Sequence, residues 1–507
     1  MVRFYFAYSF IVCLLILGLN GFSQNQVNLI TYGGSGTDEC NSLFVTEDAG
    51  FALAGASGSY SSNGVSDVYL LKFDLQYQLE WSRLIGGQGI EKGNRVIQTN
   101  DKGYAIAGFT NSYGAGGYDM YLIKLDSNGT LEWDRTYGGS NWDFATSVVQ
   151  TPDNGFLVVG NTQSFGSGSE DMYVVKTDAL GIATWSKTYG DSKQDLARDA
   201  MVMGNGNYLV VGEYTPDTAD SSDIYVAELA TNGDVLWSQT YGGSWNDGAY
   251  RVKPLFRDRI GLFGYTNVDT NNKESYMMAL DTLGNVLWAR LYEDPNGPPK
   301  RDDIGYDFWQ IGDTGSYLDS MILIGITTES TYGNESDFFC FAADYNGGWW
   351  TPTSATYGGS NKDELRGIAR MADGRVLSVG TTENFGNGQT DILLVTTDTL
   401  QAYSTVNESN FLDVTSPAIT SVTSFDQENA VSVTYFPNPA QEAITFEMKD
   451  SAPAWFTLYD LQGNQVQRFR PSTKTWQVLR GSLASGVYLF RIEDTSGAHQ
   501  MGRLHFH

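Results

Sequence analysis

The chain has 507 residues, of which 18% are charged, with 57 Gly, 30 Tyr and 12 Trp. That length is too great for one ordinary core unless a repeat or a second domain absorbs it. The formal charge is −28, with −30 between residues 24 and 434 offset by +1 at each end, and such a body repels phosphate backbones and anionic lipid, which excludes nucleic acid as a partner.

Residues 1–23 read as a signal peptide. Arg3 supplies the positive start, Phe4 to Leu19 the apolar run, and Gly21-Phe22-Ser23 the small residues before cleavage between Ser23 and Gln24. A membrane anchor fits less well, because the run is short for a spanning helix. No other stretch is long enough to span a membrane once the signal is removed. Export permits disulfides, but Cys40 and Cys340 fall in non-adjacent repeats, so two inert buried thiols are expected.

A repeat then runs through most of the chain. A strand ending in Tyr-Gly-Gly or a close variant starts at Tyr32, Ile85, Tyr137, Tyr189, Tyr241, Tyr292 and Tyr357, in steps of 51–53 residues and one of 65. An acid follows six of the seven by six positions, at Asp38, Glu91, Asp143, Asp195, Asp247 and Asp363, and opens a first strand. A second, apolar strand ends in Gly at Gly55, Gly108, Gly160, Gly212, Gly264, Gly325 and Gly380. A third opens at Asp67, Asp119, Asp171, Asp223, Asp337 or Asp391, and a fourth carries Trp81, Trp133, Trp185, Trp237 or Trp288. Four strands per unit of about 50 residues is the pattern of a propeller blade. The last unit lacks a fourth strand, and Val27 to Tyr32 is an orphan fourth strand at the other end. Pairing the two closes a seven-bladed ring and removes both edges.

These units resemble the secreted β-propeller repeats of large bacterial surface proteins. Their Asp-turn-Gly-Trp strand is also similar to the tryptophan-docking motif of quinoprotein dehydrogenases. The spacing is one residue shorter than that motif, so no quinone cofactor is carried over, and none of another organic kind is expected.

In a four-stranded blade the fourth-to-first and second-to-third loops open on one face, so both Asp series crown it. Loop capping of backbone N–H groups is the plain reading of repeated Asp. The alternative is a calcium rim, with Asp119, Asp143, Asp171 and Asp195 as ligands. Features that break the repeat are better candidates for ligand binding: Trp142 and Trp245 in fourth-to-first loops, and Trp309, Trp349 and Trp350 in the irregular sixth unit. Exposed Trp offers a platform for sugar rings or partner side chains. The insertion from Glu293 to Asp303 opens on the same face.

Residues 401–430, rich in Ser, Thr and Val, read as a linker between a 24–400 propeller and a 431–507 domain. That last segment holds Tyr435-Phe436-Pro437-Asn438-Pro439, then Leu458-Tyr459-Asp460-Leu461-Gln462-Gly463, then Leu483-Ala484-Ser485-Gly486-Val487-Tyr488. Its alternating runs suit a small Ig-like β-sandwich. The three motifs together resemble the type A sorting domain of the type IX secretion system. Pro437, Asn438, Pro439, Gly463, Gly486 and Tyr488 carry the match. The resemblance implies export across the outer membrane of a diderm bacterium, with the secretion machinery as partner. It also implies either release or attachment to the outer cell surface. The two terminal His residues depart from the usual basic tail.

All three His residues, His499, His505 and His507, lie in that tail, so the repeats cannot supply a His-based nucleophile or a His-bound metal. The expectation is an all-β, non-enzymatic secreted binding protein with a glycan or protein ligand on the propeller face. The alternatives are a carboxylate-based glycoside hydrolase or lyase, or a surface spacer without ligand.

Overall fold

The computed structural model describes residues 27–61, 65–269, 272–292, 302–311, 321–329, 336–386, 388–397, 404–406, 433–436, 443–448, 455–459, 465–481, 483, 486–493 and 499–506. The signal segment with Ser23 and Gln24, and residues 293–301 of the insertion, lie outside them. Every element among the described residues is a strand.

Seven antiparallel sheets form the blades of a propeller. Blades 1 to 6 are built from consecutive strands. Blade 7 takes its first three from Asp363–Arg370, Val376–Thr382 and Asp391–Thr397. Its outer strand is Val27–Tyr32, antiparallel to Asp391–Thr397 with Val27 opposite Thr397 and Tyr32 opposite Ile392. Residues 404–406, read from sequence as linker, instead add a short parallel strand beside Ala355–Tyr357 of blade 6.

The first strand of each blade meets its counterparts in the neighbouring blades around the axis. The second and third strands are covered on both faces by neighbouring blades, so Phe51–Ser57 and Asp119–Leu125 are buried along their whole length. The outer strands face solvent and are half-buried. One Lys interrupts the apolar third strand in each of blades 1 to 3. Lys124 Nζ reaches Asp101 and Glu132, each at 2.9 Å, and donates to the Leu125 carbonyl at 2.9 Å. With all three donors used, the buried ammonium clamps the first hairpin turn to the outer strand.

Each blade Trp packs on the next blade. Trp133 covers the turn glycine Gly181, whose φ of 73° favours Gly and whose Cβ, if present, would lie 2.5 Å from the indole. Tyr137 donates its hydroxyl to the Gly181 carbonyl at 2.7 Å, and Tyr189 does the same to Gly233 at 2.6 Å. These two residue types are therefore latches between blades. Cys40 and Cys340 are free, and burial pushes both thiols up to about 12.

The repeated glycine lies two residues inside the end of the second strand, as Gly160 does in Phe156–Thr162, and has a different task. The first strand bulges at the same place in every blade, for example between Ala145 and Ser147. The bulge brings the preceding carbonyl onto the glycine opposite: a Cβ on Gly160 would lie 1.9 Å from the Phe144 oxygen. Gly55, Gly108, Gly212 and Gly380 meet the same carbonyl at 1.8–1.9 Å. The repeated Gly thus makes the bulge sterically possible.

The C-terminal residues form a separate two-sheet unit. One sheet pairs Val433–Phe436, Ala443–Met448 and Thr475–Leu479; the other orders Gln465–Phe469, Trp455–Tyr459, Gly486–Glu493 and His499–Phe506. Phe446 centres its core, stacked on Trp476 at 5.2 Å and edge-on to Phe490 at 5.0 Å.

Gly160→Ala should lower stability by about 1–3 kcal/mol, because backbone must move. Gly204→Ala, an exposed turn position with nothing within 4 Å of the added carbon, should stay within about 0.5 kcal/mol. Thermal unfolding of both variants tests the difference; equal losses would contradict the bulge explanation.

Candidate functional site

The Asp series do not crown the loop face. They lie beneath it. Asp119, Asp143, Asp171 and Asp195 are all at most 1% exposed. Gly139 donates its N–H to Asp143 at 2.8 Å, Asp191 to Asp195 at 2.8 Å, Ala115 to Asp119 at 3.0 Å and Gly168 to Asp171 at 2.9 Å. Asp143 also accepts from the hydroxyls of Thr162 and of Ser164, the latter at 2.7 Å. These carboxylates cap loops, because a tight loop leaves N–H groups that need acceptors. Among the described residues no group of three His, Cys, Asp or Glu is placed to hold a metal. The calcium reading of these four residues is therefore not supported by their geometry.

The two series meet in pairs. Asp119 and Asp143 both crowd Gly138, and Asp67 and Glu91 both crowd Gly86. Burial, then the charge of Glu91, pushes Asp67 up to about 6. Burial, opposed by its hydrogen bonds and helped by Asp337, takes Asp363 up to about 7. Asp119, Asp195, Asp223 and Asp247 are also raised, with burial the largest cause in each.

The five Trp candidates are not brought together. Trp142 and Trp245 stand on the loop face, 51% and 42% exposed, in connections two blades apart. Trp309 lies near the far end of its first strand, on the opposite face, half-buried against the cores beside blades 1 and 7. There it helps line a shallow cleft of about 470 Å³ with Glu47, Arg370 and Met371. Trp349 and Trp350 open the outer strand of blade 6 at that same far face; their side chains lie outside the described residues. Of the sorting-motif residues, Pro437, Asn438, Pro439 and Gly463 lie outside the described residues. Gly486 pairs with Phe506, and Tyr488 is buried against the Phe506 ring.

Trp142 belongs to an aromatic platform that sequence reasoning missed. Tyr118 lies 5.8 Å from it edge-on, and Phe144 lies 6.3 Å away. Phe109 joins edge-on to Tyr118 at 5.3 Å and to Phe144 at 5.0 Å. Phe144 is the second residue of a first strand, so the platform runs from the outer loop towards the mouth of the axis. Gly117 permits it, since a Cβ there would strike the Trp142 ring at 2.3 Å.

The axis holds the other departure from the repeat. The bulge residue of blades 1 to 7 is in turn Asn41, Asn94, Thr146, Arg198, Tyr250, Tyr306 and Arg366. The first three bridge forward to the next blade's carbonyl, as Asn94 does to Ala145 at 2.8 Å. The last four stack. Arg198 lies 5.1 Å over Tyr250, Tyr250 is 5.3 Å from Tyr306, and Arg366 is 4.4 Å over Tyr306. Glu213 holds Arg198 at 2.8 Å and Glu364 holds Arg366 at 2.7 Å.

The position after the bulge carries charge in four blades: Arg95, Asp199, Arg251 and Asp307. Ser147 donates to Asp199 at 2.6 Å, and Lys253 reaches Asp307 at 2.6 Å. Arg251 lies between the two carboxylates, 3.7 Å from Asp199 and 3.3 Å from Asp307. The signal for these residues in the sequence is that they vary from blade to blade at a fixed offset from the repeated acid.

Residues 434–503 match the secretion system C-terminal sorting domain. The chain is thus a propeller protein carrying a type IX sorting domain, secreted through that system to the cell surface. Among characterised proteins it is similar to the regulatory protein FlaEY of Caulobacter vibrioides, 26% identical over 426 residues and covering 68% of this chain. The chain spans 43% of that relative's length. Among solved structures it resembles PorZ, a surface component of the type IX secretion system of Porphyromonas gingivalis. The TM-score is 0.41 at 11% identity, over 94% of this chain and 60% of PorZ. It also resembles a puromycin hydrolase, with TM-score 0.44 at 10% identity, over 82% of this chain and 59% of the hydrolase. No helix among the described residues is long and apolar enough to cross a membrane.

The raised carboxyls set a pH dependence. In the window from about 4 to about 7 the folded chain holds protons that the unfolded chain has released, so stability falls as pH rises through it. Below that window the sign reverses. Asp153, raised by burial but held down more strongly by hydrogen bonds from Thr151 and Lys176, sits at about 2 and loses its contribution as acid protonates it. The melting temperature should therefore be higher near pH 5 than near pH 8, and Asp363→Asn should flatten the slope. A melting temperature that rises from pH 5 to pH 8 would contradict the carboxyl pairing.

Proposed function

We propose that the protein is a non-enzymatic binding protein of the bacterial surface, which engages a neutral glycan through the aromatic platform around Trp142. The half-exposed Trp142, edge-packed against Tyr118 and Phe144 at the mouth of the axis, carries this reading. Rigid aromatics present a large apolar area at little entropic cost, and sugar rings stack on such faces. An acidic body disfavours anionic ligands at the rim, so a neutral or cationic surface suits the platform.

A non-catalytic role is preferred for a chemical reason. A glycosidase needs two carboxyl groups free to act as acid and base or nucleophile. The carboxylates unique to single blades on the axis, Asp199 and Asp307, are both ion-paired to Arg251. The carboxylates nearer the loops recur around the ring as caps, whereas one ring would hold one active site.

A glycan array probed with the mature propeller, with and without calcium, tests the proposal. Binding is expected without calcium and should fall at least about tenfold in Trp142→Ala, while Trp309→Ala on the far face should leave it intact. Binding unaffected by Trp142→Ala would overturn the platform. Absence of binding to any glycan would direct the same platform to a protein partner.

A further inference from the structure

Arg95 is the one cation of the axial layer that the surrounding charges leave over. Asp199 is occupied on both oxygens, by Ser147 at 2.6 Å and by the Val252 N–H at 3.0 Å. Asp307 takes Lys253 at 2.6 Å on one oxygen and the Ile368 N–H at 3.3 Å on the other. Arg251 bridges the two carboxylates. Among the described residues no carboxylate reaches ion-pair distance of Arg95, and its Nε is buried without a hydrogen-bond partner. The Arg251 Nε also makes no hydrogen bond, although Asp307 is near.

Arg95 holds the same position after the bulge as Asp199, Arg251 and Asp307. It stands in blade 2, yet the charges that act on it are Arg251 in blade 5, Asp199 in blade 4 and Asp307 in blade 6. Those blades lie across the ring, so the side chain must reach inward. Burial, and then the repulsion of Arg251, pulls its pKa down. Lys253 is likewise pulled to about 8, chiefly by burial, against the attraction of Asp307. Three cations thus face two carboxylates in the centre of a strongly acidic protein. Arg95 is half-buried, its Nε sealed from solvent without a partner, and a guanidinium fork is the group that best receives the oxygens of a small anion.

We propose that the axis holds a small oxyanion, of the phosphate or carboxylate class, between Arg95 and Arg251 at the level of the bulges. The acidic exterior then selects for size and position: the anion is held only where the charge locally reverses. This site is separate from the aromatic platform and does not depend on it.

The test is thermal unfolding of the mature protein in chloride buffer of constant ionic strength, titrated with inorganic phosphate and, in parallel, with acetate. A saturable rise in melting temperature is expected with one of them, and the stronger of the two names the oxyanion's class. In Arg95→Gln the rise should vanish, and without added anion the variant should melt no lower than the parent, because it loses an unpaired charge. Arg95→Lys should keep a weakened rise. No saturable rise with either anion, or an equal rise in Arg95→Gln, would overturn the proposal. An Arg95→Gln protein that melts lower in chloride would also overturn it, since Arg95 would then be a structural group.

Discussion

Everything in the propeller depends on six residues at its start pairing with the last blade. Val27–Tyr32 has no neighbour in sequence with which to form a sheet. It supplies the outer strand of blade 7, so the chain entering blade 1 is first fixed in the backbone hydrogen-bond ladder of the last blade. Without that ladder the ring would present an open strand edge, and the blades would lose the circular burial that covers each sheet on both faces. The Trp and Tyr latches, the buried Lys clamps and the apolar layers all act between neighbours. They hold a ring only when the ring is closed.

Closure also creates an axis, and one glycine per blade determines what the axis contains. In six of the seven blades a first-strand carbonyl rests on the glycine opposite, Gly160 or its equivalent, and in all seven the first strand bulges there. The repeat is strict in what builds the bulge and free in what the bulge displays. That freedom gives a stack of Arg198, Tyr250, Tyr306 and Arg366 on one side. It also gives a layer of alternating charge from Arg95 to Asp307 beside it. Function and fold are thereby separated along the same strand: the acid at its start caps a loop, and the residues three and four positions on face the axis.

Much of this architecture was legible in the chain. The Tyr-Gly-Gly steps, the Trp strand and the orphan strand at Val27 predict seven blades and the manner of their closure. The acid of blade 6, Asp303, was hidden because the insertion before it breaks the spacing from Tyr292. The repeated Asp residues cap loops, as their recurrence in nearly every blade suggests, but how deeply they lie beneath the face was not legible, because a loop-face carboxylate looks the same in sequence whether it points at solvent or at backbone N–H groups. The platform was half visible: Trp142 stands out, but Phe109, Tyr118 and Phe144 come from two blades and meet only in space. Trp309 looked equivalent to Trp142, yet its place near the end of a first strand puts it on the other face. The axial charges leave only one mark in the sequence, variation at a fixed offset from the repeated acid, because a bulge shifts the alternation on which a strand reading depends.

Closure of the ring by the N-terminal strand is the claim on which the axis and its residues rest. Native-state hydrogen exchange read by mass spectrometry measures it directly. If the ring closes as described, amides in 27–32 and 391–397 exchange only by global unfolding, with the same protection as the buried strands 119–125 and 171–177. Exchange of 27–32 and 391–397 at far lower free energy, while blades 2 and 3 remain protected, would show that the first strand does not close the ring.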